Sequence, residues 1–556
     1  MKANTLAIVI IIFLGLFAIQ ALFTPGFYTS HDGATHAARI ANYFLALADH
    51  QFPPRWAPLL NGGMGSPIFV YIYPLPYFLG ALVHAIGLSF TDSFKAILGL
   101  AYIASGITFY IWMRKHFAVW SSLAAAAVYL FAPYRFSLLF VRAAFAESIA
   151  YTFVPLVFLS IDQMFSSKNT RRSIAFGAMS TNLLLLSHNL VAFIFLPLAF
   201  LYSLVLFCQS KKLSALINYF LCTIFGFLIS AFIYVPDFLE KKYIRFDELI
   251  SYYQNHFVYF WQFLRSPWDY GFSFLGPADA MSFQIGLGQL LVLIFSLVIL
   301  IRIIIFKKKD KHFAKLIFFL TLFAAAVLLM LESPLSRILW KNIPGLSTID
   351  YPWRLLGITT FSLAAVSGVV VDQSGKRLKT LLATVIILGV LIANRHHLRI
   401  NQQVFLPDSQ FLSYSGSATH LGEFTPVTRA SSKFIPFPDT IQVVSGKATI
   451  VKQTEKSAGK KYLINASEKT KIRLNTLYFP GWQIALDGKV LRLETDFQIT
   501  GDTNLKTDVD QSGLIYVDVS KGKHVLTAKF AETPVRQIAD FMSLGSFVVV
   551  LILLVI

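Results

Sequence analysis

The chain has 556 residues, of which 56% are hydrophobic and only 14% are charged. Soluble globular chains carry about 25% charged residues, so this composition excludes a chain that is a single soluble domain, a disordered regulator or a disulfide-built secreted module. It predicts a protein that crosses a membrane several times and has at least one water-exposed part. The two cysteines, Cys208 and Cys222, both lie in apolar runs. They therefore provide neither a disulfide framework nor a zinc cluster.

Apolar runs long enough to cross a bilayer, about 20 residues each, recur along the chain. The first run follows Lys2 and lacks a clear small-residue cleavage site, so we interpret it as an uncleaved span. A stretch at 68–90 is also apolar, but Pro74 and Pro76 interrupt it, and proline breaks a helix. Apart from that stretch, the predicted spans cover roughly residues 6–23, 94–113, 118–138, 147–165, 173–187, 190–208, 214–236, 285–306, 313–331, 354–371, 378–393 and 539–556.

The positions of the basic residues decide how 68–90 is interpreted. The net charge is +19; in a soluble protein this would suggest nucleic acid, but in a membrane protein lysine and arginine mark cytoplasmic loops. If 68–90 does not cross, the basic segments all face the cytoplasm, at Lys2, 114–115, 168–172, 211–212, 307–311 and 376–379. We therefore predict an interfacial or re-entrant helix at 68–90, about twelve spans, both termini in the cytoplasm, a plasma-membrane location and no nucleic-acid partner.

Three sizeable segments then face outward, at 24–93, 237–284 and about 394–537. The third is rich in Thr, Ser, Lys and Asp, unlike the rest of the chain. We predict a mainly α protein made of a helical transmembrane domain (1–393), an extracytoplasmic β domain (394–537) and a C-terminal transmembrane helix (538–556).

Strand alternation in the third segment predicts a small all-β sandwich. One hairpin signal has an alternating run at 514–519, a Lys521-Gly522 turn and a second run at 524–528, which predicts that these two strands pair. Another has runs at 482–486 and 490–493 around Asp487-Gly488, a dipeptide typical of a tight hairpin turn.

Between their ends, the predicted spans contain essentially no Asp, Glu, Lys or Arg. Ion-coupled transporters usually keep ionisable groups at mid-membrane depth. The unusual polar residues instead gather at the outward ends of the spans, so we expect chemistry or binding at the outer surface.

The first outward cluster consists of His31, Asp32 and His36, directly after the first span. Asp32 precedes an amphipathic helical pattern, where a carboxylate can cap the helix N-terminus. The same carboxylate can act as a general base at the membrane surface. A metal site formed with the two histidines is a third interpretation, and it is less favoured because no further outward ligand is assigned.

Two further groups share this side of the membrane in the predicted topology. The second group has the composition of a turn and an aromatic interfacial belt, and its polar and aromatic members are Arg55, Trp56, Asn61, Tyr71 and Tyr73. The third group comprises Arg142, Glu147, His188, Asn189 and the run Tyr351-Pro352-Trp353-Arg354. Such residues at span ends are often anchors, but two arginines outside the cytoplasm also suit an anionic partner such as a lipid phosphate.

Several short motifs, in this order, resemble the family of 6-pyruvoyl-tetrahydropterin synthase-related membrane proteins. They are His31-Asp32-Gly33, His36, Arg39, Pro54-Arg55-Trp56, Asn61-Gly62, Gly65-Ser66-Pro67, Tyr73-Pro74-Leu75-Pro76-Tyr77, Ala132-Pro133-Tyr134-Arg135, 142–147, Ser187-His188-Asn189 and 351–354. Late in the chain, Tyr478-Phe479-Pro480-Gly481-Trp482 and Thr533-Pro534-Val535-Arg536 resemble YfhO-like membrane proteins. Both groups look like members of the GT-C glycosyltransferase superfamily.

That resemblance implies a helical membrane enzyme that uses a polyprenyl-phosphate-linked sugar and carries an acidic residue in its first outer loop. By position, this residue is Asp32. Some members of the superfamily carry two acidic residues close together here, whereas this chain has Asp32 beside His31. We therefore expect a mechanism without a metal or another cofactor.

The resulting hypothesis is an inverting sugar transfer from a polyprenyl-phosphate carrier to a glycan, lipid or protein acceptor at the extracytoplasmic face. The assigned catalytic residues are Asp32, His36 and Glu147. The assigned ligands of the substrate and the lipid phosphate are Arg142, Arg354, His188, Asn189, Arg55, Trp56, Asn61, Tyr71 and Tyr73. The alternatives are a transporter or flippase of lipid-linked glycans and a non-catalytic glycan-binding scaffold of the cell envelope.

Overall fold

The fold is taken from a computed structural model of the chain. The structure describes residues 2–167, 169–246, 252–306, 312–414, 416–417, 419, 422–429, 439–491 and 513–555. The predicted basic segment 307–311, residue 168 and the end of the predicted strand at 490–493 lie outside these ranges.

The described chain is mainly helical. Its α-helices, in chain order, are α1 (Lys2–Ala18), α2 (Gly33–Ala48), α3 (Leu75–Ala85), α4 (Phe90–Met113), α5 (Val119–Leu130), α6 (Pro133–Phe136), α7 (Phe145–Ser166), α8 (Thr170–Ser187), α9 (Asn189–Ser210), α10 (Leu213–Ile229), α11 (Ala231–Glu240), α12 (Phe260–Leu264), α13 (Leu287–Ile305), α14 (Phe313–Met330), α15 (Pro334–Asn342), α16 (Leu356–Asp372), α17 (Lys376–Asn394), α18 (Asp408–Leu412) and α19 (Pro534–Val555).

Among the described residues, 8 helices are long and apolar enough to cross a membrane: α4, α7, α9, α13, α14, α16 with the turn before it, α17 and α19. Two bent pairs, α5 with α6 and α10 with α11, raise the number to 10 if each pair is one span. The remaining predicted spans correspond to α1, with 17 residues, and to α8, which includes Arg171 and Arg172. The predicted count of twelve is therefore not confirmed.

Burial separates central helices from peripheral ones. In the candidate span that contains α16, 94% of the apolar stretch is buried inside the protein, whereas in the spans of α17 and α19 the buried share is 17%. Apolar side chains that no other part of the protein covers need a lipid environment. The outer surfaces of α17 and α19 thus face the bilayer, and α16 lies at the centre of the helix bundle.

The apolar stretch at 68–90 folds as a 3-10 turn (Ile68–Val70) followed by the 11-residue helix α3. A helix of this length is about 16 Å long, roughly half the thickness of the hydrocarbon core. This stretch is too short to cross as a helix.

The C-terminal part is built from antiparallel strands. The strands, in chain order, are β1 (Phe27–Tyr28), β2 (Gln403–Val404), β3 (Ile441–Ser445), β4 (Ala448–Lys456), β5 (Gly459–Ala466), β6 (Thr470–Leu477), β7 (Trp482–Leu486), β8 (Lys489–Val490), β9 (Leu514–Val519) and β10 (Gly522–Phe530). A five-stranded sheet has the order β4-β5-β10-β7-β8, and a three-stranded sheet has the order β3-β6-β9. The inward side chains of both sheets, such as Ile464, Ile472 and Val517, share one buried core. The predicted all-β sandwich is confirmed.

One predicted strand pairing is confirmed and one is wrong. β7 and β8 form a hairpin around Asp487 and Gly488, whose positive φ angles of 52° and 79° are those that a tight two-residue turn needs. β9 and β10 also form where the alternation predicts strands, but they belong to opposite sheets: β9 pairs with β6, and β10 pairs with β5 and β7. The turn at Lys521-Gly522 therefore crosses between the sheets, because the inward faces of both strands are needed in one core.

The first outer loop joins the β sandwich to the helices. Trp56 packs edge-on against Trp482 and also contacts Phe530. At the end of the sandwich, Arg536 in the first turn of α19 donates from Nε and Nη2 to Oε2 of Glu240 in α11, at 2.9 and 2.8 Å. The sandwich, the first outer loop and α11 are thus one packed unit.

We expect Arg536→Gln to destabilise the protein by about 3–5 kcal/mol, because it leaves the buried carboxylate of Glu240 without its counter-ion. Side-chain exposure is 0% for Arg536 and 4% for Glu240. The double variant Glu240→Met/Arg536→Met removes both charges and should lose less stability than the single variant. Thermal unfolding midpoints in detergent test this prediction; equal midpoints for wild type and Arg536→Gln would contradict it.

Candidate functional site

A polar cavity of about 600 Å³ lies at one end of the helix bundle. Its walls come from the first outer loop and α2, the starts of α7 and α16, the junction of α8 and α9, and the loop at 252–281. A further wall comes from the segment before the β sandwich that contains Thr419 and Glu423, here called the strap. The charged and titratable residues that line it are His31, Asp32, His36, Arg39, Tyr73, Arg142, Glu147, His188, Tyr252, Asp350, Tyr351, Arg354 and Glu423. The structure thus brings residues that are far apart in sequence into one cavity.

Backbone hydrogen bonds hold Asp32 beside Arg142. The N–H groups of His31 and Asp32 donate to the carbonyls of Val141 and Arg142, at 3.1 and 2.9 Å. The accepting segment ends a π-helical turn, Ser137–Val141, and is followed by Ala143 in the left-handed region with a φ of 52°. Such turns often occur at functional sites, and this one directs the side chain of Arg142 into the cavity.

The carboxylate of Glu147 is shared by two arginines. Its Oε2 accepts from Nη1 of Arg142 at 2.8 Å and from Nη1 of Arg354 at 3.0 Å. Its Oε1 accepts from the hydroxyl of Tyr134. A carboxylate with these three donors orients the guanidinium groups and is poorly placed to act as a base.

Arg354 has a second anionic partner, and both arginines contact the same ring. Nη2 of Arg354 donates to Oδ2 of Asp350 at 3.0 Å. The guanidinium carbons of Arg142 and Arg354 lie 4.9 and 5.7 Å from the ring centroid of Trp353, a favourable cation–π distance. Arg142 uses only one of its five N–H donors on a described carboxylate, so donors remain available in the cavity.

Asp32 differs from the other carboxylates described above. It occupies the N-cap position of α2, yet its side chain makes no capping hydrogen bond. Within the described ranges, it forms no ion pair with any residue. Its side chain is half-buried and lines the cavity. The helix-cap interpretation therefore does not account for Asp32, and its carboxylate is available to a ligand.

A short chain of hydrogen bonds links His36 to Tyr77 and Arg39. Nη1 of Arg39 donates to the hydroxyl oxygen of Tyr77 at 2.9 Å, so the Tyr77 hydroxyl can donate its own proton to Nδ1 of His36, at 3.0 Å. Burial, reinforced by the charge of Arg39, holds the pKa of His36 well below its usual value near 6.5. His36 is thus neutral at neutral pH.

His188 is also a neutral donor. Its Nδ1 accepts from the backbone N–H of Val191 at 3.2 Å, capping α9, so the proton lies on Nε2. Its ring stacks on Tyr73 with centroids 4.8 Å apart. Burial lowers the pKa of His188 from 6.5 to about 3, which keeps the ring uncharged at neutral pH.

His31 joins the first outer loop to the second. Its Nε2 lies 2.9 Å from the carbonyl oxygen of Gly271 and 3.2 Å from that of Tyr270, and its ring stacks on Phe272 at 4.3 Å. Burial lowers its pKa, while the charge of Asp32 partly opposes that shift. These contacts place the loop at 270–274 over the cavity.

An apolar groove of about 690 Å³ adjoins the polar cavity. It runs between α9 and α10 and is lined by aliphatic and aromatic side chains such as Phe193, Leu196 and Phe220. The residues that line both spaces are Arg39, Tyr73, His188, Asp350, Arg354 and Glu423. Arginines and a neutral histidine thus stand where the apolar groove meets the polar cavity.

The structure places four of the predicted ligands elsewhere. Arg55 is fully buried and pairs with Glu532 and Asp540. Trp56 packs on the β sandwich, as described above. Asn61 forms a turn with a φ of 59° and donates to the carbonyl of Gly65. The buried Tyr71 donates its hydroxyl proton to the carbonyl of Glu240. These four residues pack the first outer loop against its neighbours, and none of them lines the polar cavity or the apolar groove. A fifth predicted ligand, Asn189, lies in the groove and not in the polar cavity.

Two acidic residues of the cavity are absent from the predicted site. Asp350 precedes the run 351–354 and lies four residues before Arg354, so i,i+4 pairing with that arginine could have revealed it. Glu423 belongs to the strap before the β sandwich, and no local pattern marks it. In the described part of the chain, no group of three or more His, Cys, Asp or Glu side chains could hold a metal ion.

A sequence model of the 6-pyruvoyl-tetrahydropterin synthase related domain, described as a membrane protein, matches residues 69–398. The chain belongs to this family. The match covers the helical part from the first outer loop to the end of α17 and includes Arg142, Glu147, His188 and Arg354. Membership in a membrane-protein family agrees with the long apolar helices described above.

Other similarities are more distant. An uncharacterized protein of Lactococcus lactis subsp. cremoris is 27% identical over 219 residues, which is 38% of this chain and 35% of that protein. The chain thus spans about a third of this relative.

Three solved structures show weak overall similarity. Arabinofuranosyltransferase AftD from Mycobacteria has a TM-score of 0.41 at 14% identity, covering 71% of this chain and 27% of AftD. The Archaeoglobus fulgidus oligosaccharyltransferase gives 0.37 at 13% identity, over 74% and 53% of the two chains. ArnT from Cupriavidus metallidurans bound to undecaprenyl phosphate gives 0.36 at 15% identity, over 73% and 68%. Similarity at this level assigns no function to the chain.

The neutral state of His188 predicts a dependence of stability on pH. The unfolded chain takes up a proton on this residue below pH 6.5, but the folded protein does not until about pH 3. This group therefore costs no stability above pH 6.5, and stability falls as the pH decreases from 6.5 towards 3, by at most about 1.4 kcal/mol per pH unit. His188→Asn keeps a capping acceptor for α9 but removes the titration. Unfolding midpoints measured between pH 7 and pH 5 should fall less steeply for the variant, and parallel curves would show that His188 is not the titrating group.

Proposed function

We propose that this protein is a membrane glycosyltransferase that moves a sugar from a polyprenyl-phosphate carrier to an acceptor hydroxyl at the extracytoplasmic face. The observation that carries the proposal is that the polar cavity joins the apolar groove. A polar cavity with an available carboxylate, Asp32, opens at Arg354 and His188 into an apolar groove. A lipid-linked sugar has the same three parts in the same order: an apolar chain, a phosphate and a polar sugar.

The donor fits this arrangement with its chain in the groove between α9 and α10. Its phosphate then lies at the junction, within reach of Arg354 and the Nε2 proton of His188. Arginine is well suited to phosphate because its planar group offers several donors at once. The sugar occupies the polar cavity, where Arg142 and Trp353 form one wall.

The reaction is a single displacement. Asp32 accepts the proton of the acceptor hydroxyl as the hydroxyl oxygen forms a bond to the anomeric carbon of the sugar. The bond between that carbon and the phosphate oxygen breaks on the opposite face, and its electron pair leaves with the lipid phosphate. Attack opposite to the leaving group inverts the anomeric configuration. The lipid phosphate gains charge in the transition state, and the donors of Arg142 and Arg354 stabilise it.

Glu147 and Asp350 act through the arginines and not on the substrate. Their carboxylates hold the two guanidinium groups in position before the donor binds, so that little reorganisation is needed in the transition state. Glu147 is therefore a positioning residue in this scheme. His36, held neutral by burial and the charge of Arg39, contributes a donor on the cavity wall.

The β sandwich reaches the site through its N-terminal strap. Thr419 and Glu423 from this strap line the polar cavity, and Glu423 also lines the groove. The strap can therefore contact the sugar or the incoming acceptor. In the predicted topology, the sandwich and the cavity share the extracytoplasmic side of the plasma membrane.

We expect Asp32→Asn to lower the transfer rate by about 100-fold or more, since a positioned general base contributes 10²–10⁴-fold, while donor binding is retained. Transfer is measured with purified protein in lipid nanodiscs, polyprenyl-phosphate-linked sugars and cell-envelope glycan as acceptor, with mass spectrometry of the products. Undecaprenyl phosphate is the probe for binding. Asp92→Asn, which changes an exposed carboxylate near the start of α4, is the matched control and should transfer at the wild-type rate.

An Asp32→Asn variant that transfers sugar as fast as wild type would refute the role of Asp32 as the base. A wild-type protein that moves lipid-linked glycan across vesicle membranes without transfer would support a transporter instead. Binding of envelope glycan by the β sandwich with neither transfer nor transport would support a scaffold.

Arg142→Gln should also reduce turnover, by about 100-fold, because it removes a donor to the leaving phosphate. Glu147 keeps Arg354 as a partner in this variant, so the rest of the cavity is preserved. The loss should appear in kcat more than in KM for the lipid donor, as expected for an interaction made in the transition state. A change in KM alone would show that Arg142 only binds the ground state.

A further inference from the structure

A second polar cleft, of about 700 Å³, lies between the turn at 49–55 in the first outer loop and one end of the β sandwich. Four lysines line it, three of them at or beside the β4–β5 turn: Lys456, Lys460, Lys461 and Lys529. None of the residues that line the polar cavity or the apolar groove lines this cleft. α2 separates the two sites, and its 16 residues span about 24 Å.

Each of the two carboxylates at the cleft has a partner, although the buried Oε2 of Glu532 has none among the described residues. Most of the lysines are in no described ion pair. Glu532 pairs with Nε of Arg55 at 3.2 Å, and Asp49 accepts from the backbone N–H of Ser457. Lys460 donates to Oγ1 of Thr476 at 2.6 Å.

The other three lysines, Lys456, Lys461 and Lys529, are exposed and form no ion pair with any residue in the described ranges. Nε2 of Gln51, a buried donor on the cleft wall, likewise has no described partner. The cleft therefore offers an excess of hydrogen-bond donors and positive charge.

The position of the cleft relative to the bilayer follows from the exposed apolar side chains beside it. Gln537 in the first turn of α19 lines the cleft. On the same helix, Ile538 is 61% exposed and Phe541 is 74% exposed, as expected for side chains among lipid tails. Phe52, on the cleft wall, is 81% exposed. The lysines thus lie just above the acyl region, at the level of lipid headgroups.

We propose that this cleft binds the phosphate-bearing headgroup of an anionic phospholipid in the outer leaflet. Lysine ammonium groups donate to the phosphate oxygens, the unpartnered amide of Gln51 adds a neutral donor, and the acyl chains lie against the exposed face of α19. Basic side chains near a membrane surface attract anionic lipids in this way. The bound lipid ties the β sandwich to the bilayer, independently of the proposed sugar transfer.

The test uses the full-length protein in a neutral detergent, titrated with short-chain phosphatidylglycerol and followed by native mass spectrometry. Wild type should bind this lipid at least tenfold more tightly than short-chain phosphatidylcholine, which has the same phosphate but no net charge. Lys456→Glu/Lys461→Glu should lower the affinity for phosphatidylglycerol at least tenfold. Inorganic phosphate is the soluble probe and should not displace the lipid at equal concentration.

The matched control is Lys447→Glu/Lys469→Glu, which makes the same change in net charge with two exposed lysines. These lysines lie at the opposite end of β4 and β5, outside the cleft. The control should bind phosphatidylglycerol within twofold of wild type. Wild-type affinity in the cleft variant, an equal loss in the control variant, or displacement by inorganic phosphate would each overturn the proposal. Lys529→Gln provides a milder variant if the charge-reversed protein does not fold, and it should lower the affinity at least threefold.

Discussion

The polar cavity depends on one buried carboxylate, that of Glu147. Two guanidinium groups as close as those of Arg142 and Arg354 repel each other, and a shared anion between them makes the arrangement stable. The hydroxyl of Tyr134 and the ring of Trp353 complete the support of this triad. Glu147 accepts one hydrogen bond from each arginine, so the remaining N–H donors of Arg142 and Arg354 can face the cavity. Removing this carboxylate would leave Arg142 without its carboxylate partner and Arg354 with Asp350 alone, and would disturb this wall of the cavity.

The carboxylates of Glu147 and Asp32 differ in how many hydrogen bonds they already accept. Both residues are acidic and lie on the same side of the protein, but one is saturated by donors and the other has no described partner. Asp32 is placed by its backbone, through hydrogen bonds to the segment that ends at Arg142, so its side chain needs no contact to stay in position. A group that is positioned but unengaged is what a general base requires. The neutral histidines 36 and 188 add donors without adding charge.

The first outer loop serves two purposes that its sequence does not separate. Its N-terminal part, around Asp32 and α2, forms the cavity. Its middle part, with Trp56 and Asn61, forms a turn that packs on the β sandwich. Aromatic and glycine-rich motifs suit both a sugar-binding surface and a structural turn, so motif resemblance assigned Arg55, Trp56, Asn61 and Tyr71 to the substrate. All four are buried where the loop packs on its neighbours, and none of them lines the polar cavity or the apolar groove.

The sequence by itself determined the features that depend on local pattern. Apolar run length predicts most of the crossing helices, residue alternation predicts the β strands, and the paired prolines predict that 68–90 does not form a long helix. The clustering of polar residues at outward span ends predicts where the site lies. Only the tertiary structure decided which of these residues share a cavity, which strands share a sheet, and that Asp350 and Glu423 belong to the site. The physical reason is that local patterns report the environment of each residue, whereas contacts between residues hundreds of positions apart are set by how the helices and the sandwich pack together.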